Sequence, residues 1–362
     1  MKLLFVIRKY ADGGIERIIS NISNQIEIDV LTLQEPSQSM NFKNNYVFPI
    51  LDKNIGTLSR IINKVTPFYG NRFFSGYFKE RFKQKLNEIE IENGKYDYII
   101  FSGFGCSSIL YKFNDPRLRV WCHSNKTELI KEKYNKYFMR SASKFIFDVF
   151  DGKKIICVSD GVKSDLQRNF LVNGTMKTVY NFVSKTDLIN KSCENITVGS
   201  NSYILFIGRL VSLKRVDFII RAYEKSDIQH KFLILGDGPE QPNLMNLVEQ
   251  LGLKDKVVFL GFKQNPYPYI RNASTVVLAS EREGLPTVLI ESLILGTSVV
   301  SVDCPSGPKE ILGDEYVGLI KDADEEKFAS LIKYQVVNQE LPCDFSPDKY
   351  SIQHFLDGIR DI

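Results

Sequence analysis

Two carboxylates, Glu283 and Glu291, bracket the segment Gly284-Leu285-Pro286-Thr287 in the second half of the chain. The apolar run Thr275–Leu278 precedes them. Proline at 286, suited to a first helical position, and glycine at 296, suited to a C-terminal cap, predict a helix that begins near Pro286. A helix start offers free backbone N–H groups and a partial positive charge, which together make an anion site. Glu291 then stands about 7.5 Å along the axis from Pro286. That separation suits a diphosphate at the helix tip, a sugar near Glu283 and a ribose near Glu291, since a carboxylate commonly takes two ribose hydroxyls. A second pair of charges, Arg209 and Lys214, follows the apolar run Tyr203–Ile207 across Gly208. Two cations on one loop can clamp a pyrophosphate. They also stabilise the negative charge that collects on a departing nucleoside diphosphate.

Weaker signals sit at the ends of other apolar runs. Leu235-Gly236-Asp237-Gly238-Pro239 permits a tight turn and close backbone approach to a ligand, but lacks the third glycine of a dinucleotide fingerprint. Phe262 follows Leu260-Gly261 and could flank a base or belong to the core. Gly13 and Gly14, after the opening run Leu3–Ile7, suggest backbone contact with a ligand or a plain turn. His123 closes the run Leu118–His123, where it could face a cleft. The other two histidines, His230 and His354, lie in segments with no further signal.

These residues need elements that end where they stand. Apolar, β-branched runs recur at Leu3–Ile7, Tyr96–Phe101, Leu118–His123 and Lys154–Ser159, then at Tyr203–Ile207, Phe232–Leu235, Val257–Leu260, Thr275–Leu278 and Ser298–Val302. Continuous apolar strands separated by helix-like segments predict parallel sheets covered on both faces. The fold class is therefore α/β, with two Rossmann-like doubly wound lobes and an interlobe cleft. Ligands in such sheets bind beyond the carboxyl ends of the strands. A polar stretch, Lys185–Ser202, places the boundary near 182. The expected domains are 1–182, 183–345 and a C-terminal helix in 346–362 that packs back on the first lobe.

A chain of 362 residues is too long for one ordinary core. Its six cysteines are scattered without a CxxC pair, which points away from a zinc site or disulfide framework and toward a reducing cytosol. The opening apolar run is shorter than a signal peptide requires, and no stretch reaches the ~18 apolar residues of a membrane span. Net charge is +4, unevenly placed: residues 1–180 carry 28 Lys and Arg against 18 Asp and Glu, and the remainder 19 against 25. A basic first half fits nucleic acid, an anionic membrane surface or ordinary surface variation. Two segments there, 72–83 and 131–140, mix cations with aromatics as an interfacial helix does. The same composition serves a helix with an aromatic core face.

Arg209 with Lys214, the turn Gly236–Gly238 and the Glu283-x7-Glu291 element, in that order, resemble the family-4 retaining glycosyltransferases of the GT-B fold. Gly13-Gly14-Ile15-Glu16 is similar to that family's GGxE loop, and Val158-Ser159 and Tyr180-Asn181 to its short markers near the interlobe crossing. Asp303–Glu310 resembles a variant found in bacterial surface-polysaccharide enzymes, often with UDP-sugars. The resemblance implies that Arg209 and Lys214 bind the donor diphosphate and Glu291 the ribose. Glu283, with the backbone of Gly284, Leu285, Pro286 and Thr287, would hold sugar and phosphate. Gly14 would approach the phosphates, and His123 would contact the sugar. It implies retention by front-face transfer, no metal, no cofactor beyond the nucleotide-sugar donor, and a saccharide or glycolipid acceptor on the first lobe. The expected location is the cytoplasm, with peripheral contact at the inner face of the membrane and no nucleic-acid partner. A nucleotide-sugar epimerase of the same fold is the alternative. A nicotinamide oxidoreductase has only two incomplete glycine patterns in its favour, Gly103-Phe104-Gly105 and Gly236-Asp237-Gly238. A non-catalytic binding protein is disfavoured by intact Arg209, Lys214 and Glu283.

Overall fold

The computed structural model describes residues 1–10, 13–37, 40, 42–50, 69–133, 136–196 and 202–362, without the side chains of 132, 133 and 136. Ala11 and Asp12 of the first glycine turn, Tyr134 and Asn135 of the second aromatic segment, and 197–201 of the boundary stretch lie outside the described residues. The chain forms two compact units, residues 1–182 with 352–362, and 183–351.

The first unit runs β1 Leu3–Ile7, α1 Gly14–Ser23, β2 Ile28–Thr32, β3 Asn44–Val47, α2 Tyr69–Phe73, α3 Ser75–Asn93, β4 Tyr98–Ser102, α4 Phe104–Ile109, β5 Leu118–Cys122, α5 Lys126–Lys133, α6 Lys136–Phe150, β6 Ile155–Cys157, α7 Asp160–Phe170 and β7 Met176–Thr178. Its sheet is parallel, in the order β3-β2-β1-β4-β5-β6-β7. β1 and β5 are buried throughout, as expected of strands covered on both faces. Strands β2, β3 and β7 were not evident from apolar runs. β2 carries Asp29 in the core, where its carboxylate accepts hydrogen bonds from the Tyr96 hydroxyl (2.7 Å) and the Asn44 side chain (2.9 Å). β3 and β7 are edge strands with partly solvated residues, so neither needs an apolar run.

The second unit runs α8 Lys185–Ser192, β8 Tyr203–Ile207, α9 Val216–Ser226, β9 Lys231–Leu235, α10 Gln241–Gln250, β10 Val257–Gly261, α11 Tyr267–Arg271, β11 Thr275–Leu278, α12 Thr287–Ile294, β12 Val299–Val302, α13 Pro308–Leu312, β13 Leu319–Ile320 and α14 Glu325–Asn338. Its sheet is also parallel, in the order β10-β9-β8-β11-β12-β13. The two-residue edge strand β13 was not foreseen. In both sheets the chain winds outward from the first strand, then returns to build on its other side. The direction reverses between β1 and β4 in one sheet and between β8 and β11 in the other. Crevices for ligands form at such reversals.

The last helix, α15 Ile352–Arg360, belongs to the first unit. The return comes at Ile352, later than the expected 346, because 347–350 form a short 3-10 turn that stays with the second unit. Phe355 and Ile359 are fully buried, and the Phe355 ring lies 5.1 Å from that of Trp121. Gly358 packs so closely on Val179 that an added Cβ would sit 2.5 Å from its methyl group. Emptying the Phe355 site should therefore open a cavity beside the chain's single tryptophan. Phe355→Ala is expected to lower the unfolding free energy by about 3–5 kcal/mol and to shift Trp121 emission to the red, both read from one urea titration.

Candidate functional site

In the second unit the loops after β8, β9 and β11 are tied together by backbone hydrogen bonds. The Leu210 N–H donates to the Asp237 carbonyl (2.7 Å), the Glu240 N–H to the Leu210 carbonyl (3.0 Å), and the Glu281 N–H to the Leu213 carbonyl (3.0 Å). Gly236 has φ +130°, and a Cβ there would meet the Gly208 carbonyl oxygen at 1.9 Å. Only glycine lets these loops lie this close. The loop after β12 presses in similarly: Gly307, at φ +101°, would put a Cβ 2.4 Å from Pro286 Cδ.

This frame brings Lys214 and Glu283 together at the sheet reversal. Lys214 closes a 3-10 turn, Ser212–Lys214, and its ammonium pairs with the Glu283 carboxylate, both side chains being largely buried. The Lys214 chain passes within 3.9 Å of the position a Gly208 Cβ would take. Gly284, Leu285 and Pro286 then lead into α12, whose first helical residue is Thr287. Pro286 is thus the N-cap rather than the first helical residue, with extended ψ of 91°. It supplies no side-chain cap, so the first N–H groups of α12 have no side-chain acceptor from the N-cap position. Gly296 follows the helix at φ +80°. Glu291 is buried, 7% exposed, on the second turn of α12. Arg209 is exposed on the loop after β8. Phe262 is 66% exposed just beyond β10, next to Gly261, whose carbonyl accepts from the Gly236 N–H (2.9 Å). An ammonium, an exposed guanidinium and a helix start that follow the neighbouring strands β8 and β11 are groups that can hold a polyanion, and carboxylates such as Glu283 and Glu291 can accept from hydroxyl groups.

In the first unit Gly13 is the N-cap of α1 and Gly14 its first residue, with open space where a Gly14 Cβ would be. The start of α1 meets the loop after β4, where a Gly103 Cβ would come within 3.0 Å of Ile15. His123 lies just past β5, with Nε2 3.0 Å from the Ser102 hydroxyl at the end of β4. Its ring stands 4.3 Å from that of Trp121. Burial, reinforced by the Lys126 ammonium, pushes His123 down to about 3, so its imidazole is neutral at physiological pH. Ser102 and Lys126 were missed by sequence reasoning. The only available signal was position, one at a strand end and one three residues beyond His123.

The two aromatic segments divide on inspection. Phe78 and Phe82 of α3 are fully buried, whereas Phe73 is 70% and Tyr137 78% exposed. Arg72 is held by Asp148 (2.6 Å) across the face of Phe145.

Because Gly236 combines positive φ with near contact to Gly208, Gly236→Ala should displace the loop after β8. A loss of about 2 kcal/mol or more in unfolding free energy is expected, while Gly76→Ala, in α3 with no positive φ and nothing near its Cβ, should cost less than half as much in the same chemical denaturation assay.

Residues 194–351 match the family model described as glycosyl transferases group 1. Among curated proteins, the chain is 33% identical over 208 residues to an N-acetylgalactosamine-N,N'-diacetylbacillosaminyl-diphospho-undecaprenol 4-alpha-N-acetylgalactosaminyltransferase of Campylobacter jejuni. That alignment covers 57% of this chain and spans only 56% of the relative's length. A second Campylobacter jejuni protein, an alpha-1,4-N-acetyl-D-galactosaminyltransferase named for a GalNAc-extended diNAcBac-PP-undecaprenol, is 25% identical over 90% of this chain and 86% of its own. Anabaena HepE, solved in complex with UDP, superposes with a TM-score of 0.68 at 18% identity, covering 100% of this chain and 98% of that one, a likeness that establishes fold alone. Residues 194–351 thus resemble glycosyl transferases group 1, and the two parallel α/β units carry the GT-B fold.

Proposed function

We propose that the protein transfers a hexose or N-acetylhexosamine from a nucleotide-sugar, in our reading a UDP-sugar, to a lipid-linked or oligosaccharide acceptor in bacterial surface-polysaccharide synthesis. The observation that carries this reading is the Lys214–Glu283 pair set beside the start of α12 at the reversal of the second sheet. Lys214, Arg209 and the α12 N–H groups bind the diphosphate, so that charge on the leaving group is met by protein cations and dipoles rather than by a metal. Glu291 takes the ribose, and Phe262 flanks the base. Glu283, held by Lys214, accepts hydrogen bonds from the transferred sugar. The names of the two Campylobacter relatives, with their undecaprenol-linked acceptors, support the acceptor class. The UDP bound to Anabaena HepE supports the nucleotide.

In the reaction the bond from the anomeric carbon to the diphosphate oxygen breaks, and the acceptor oxygen bonds that carbon on the same face. The acceptor proton passes to the departing phosphate, and configuration is retained. The protein contributes position and charge.

Screening UDP- and GDP-sugars for acceptor-dependent release of nucleoside diphosphate tests this. Lys214→Ala and Glu291→Ala should each lower kcat/KM about a hundredfold, and the product's anomeric coupling should match that of the donor. Donor isomerisation without an acceptor, or full transfer by both variants, would refute the assignment.

We further propose that the basic first unit rests on anionic lipid at the inner face of the membrane, with Phe73 and Tyr137 as its exposed aromatics. No helix among the described residues is long and apolar enough to cross a membrane. Vesicles rich in phosphatidylglycerol should carry the protein upward in a flotation gradient at low salt, and Phe73→Ala should weaken this several-fold. Absence of co-flotation rejects the idea.

A further inference from the structure

A cavity of about 940 Å³ opens within the second unit, among the loop after β12, the turn between α13 and β13, and the residues that follow α14. Its volume is that of a small-molecule site. None of Arg209, Lys214, Glu283 and Glu291 lines it. Its walls carry six carboxylates, Asp303, Glu310, Asp314, Glu315, Glu340 and Asp344, against one ammonium, Lys309, among the described residues. Lys309 is already paired with Asp314 (2.7 Å). A concave wall of one charge sign concentrates ions of the other sign, so the ligand it favours is a cation.

The walls are ordered. The Tyr316 hydroxyl donates to the carbonyls of Val299 (2.9 Å) and Glu340 (3.0 Å) and accepts from the Gln335 side-chain amide (3.2 Å). The Glu340 carboxylate accepts in turn from the Tyr334 hydroxyl (2.6 Å). Two other lining oxygens are unpaired. Ser306 is 2% exposed, and its Oγ, like Oδ1 of Asp303, is buried without a hydrogen-bond partner among the described residues. Buried polar atoms are costly in that condition, and both can accept from an N–H donor.

The spacing of the acids decides which cation. Among the described residues no three His, Cys, Asp or Glu side chains come together closely enough to hold a metal ion. Carboxylates set apart in this way suit several charges strung along one flexible chain better than a single point charge. Exposed Val317 and Leu341 lie in the same lining. Apolar patches between acids match the methylene stems of alkyl ammonium groups, which lie along apolar surface while their charges meet polar groups.

We propose that this cavity binds a linear polyamine, with its ammonium groups spread among the carboxylates, one of them donating to Ser306 and Asp303, and its methylene stems against Val317 and Leu341. The site does not depend on sugar transfer, and its binding is read with neither donor nor acceptor present.

Isothermal titration of the whole chain with spermidine at physiological salt should show one saturable site. Putrescine, with fewer charges, should bind more weakly, and magnesium chloride at matched ionic strength should not displace spermidine. Ser306→Ala should weaken spermidine binding about fivefold, the effect of one lost hydrogen bond, and Asp303→Asn should weaken it at least as much. Asp227→Asn, at an exposed acid outside the cavity, should leave it unchanged. Absence of saturable heat overturns the proposal. Displacement by magnesium to the same extent as by polyamine also overturns it, since that is diffuse charge screening. Unchanged affinity in Ser306→Ala and Asp303→Asn, both folded by thermal melt, does so too, because the ligand would then sit elsewhere. If either variant fails to fold, Asp344→Asn at an exposed position in the lining serves in its place, and unchanged affinity there is equally fatal.

Discussion

Gly236 and Gly208 touch backbone to backbone, and the arrangement of the second unit's charged groups follows from that contact. Without side chains between them, the loop after β9 can donate and accept directly with the loop after β8. The loop after β8 in turn accepts from the segment that carries Glu283. The lysine and glutamate are therefore positioned by main-chain geometry before they attract each other. An ion pair built this way loses little conformational entropy when a ligand arrives, since its loops are already ordered. Gly307 against Pro286 completes the same logic from the other side of α12.

The first unit solves its problem differently. Its candidate ligand-facing atoms hang on side-chain contacts, Ser102 to His123 and Asp165 to the start of α5, with a lysine sealed in aromatic surroundings. Burying a cation without a counter-ion is costly. Lys126 stays there between the Ser124 hydroxyl and the rings of Phe104 and Phe150, a polar side chain where an apolar one would pack at lower cost.

Much of the fold was legible because parallel strands covered on both faces must be apolar throughout. Each of the nine apolar runs contains or overlaps a strand. The strands that escaped notice were those freed from that rule: β3, β7 and β13 lie at sheet edges, and β2 offsets its buried Asp29 with Tyr96 and Asn44. Lys214 and Glu283, which meet in the second unit, were readable as candidates because each lies in a loop that follows an apolar run. The direct bond between Lys214 and Glu283 was not, since sequence spacing of that length carries no distance. Ser102 was invisible for the same reason, since its contact with His123 depends on β4 and β5 being neighbours. The start of α12 was misplaced by one residue because proline is compatible with both the cap and the first helical position.

The return of α15 to the first unit also has a bearing on synthesis. The 183–351 unit is an insertion between two pieces of the other, and it can close as soon as its own residues have left the ribosome. The earlier unit must wait with Trp121 and Val179 uncovered until the final helix emerges. Its apolar flank is thus open to chaperones, or to neighbouring nascent chains, for the whole time the later unit is being translated.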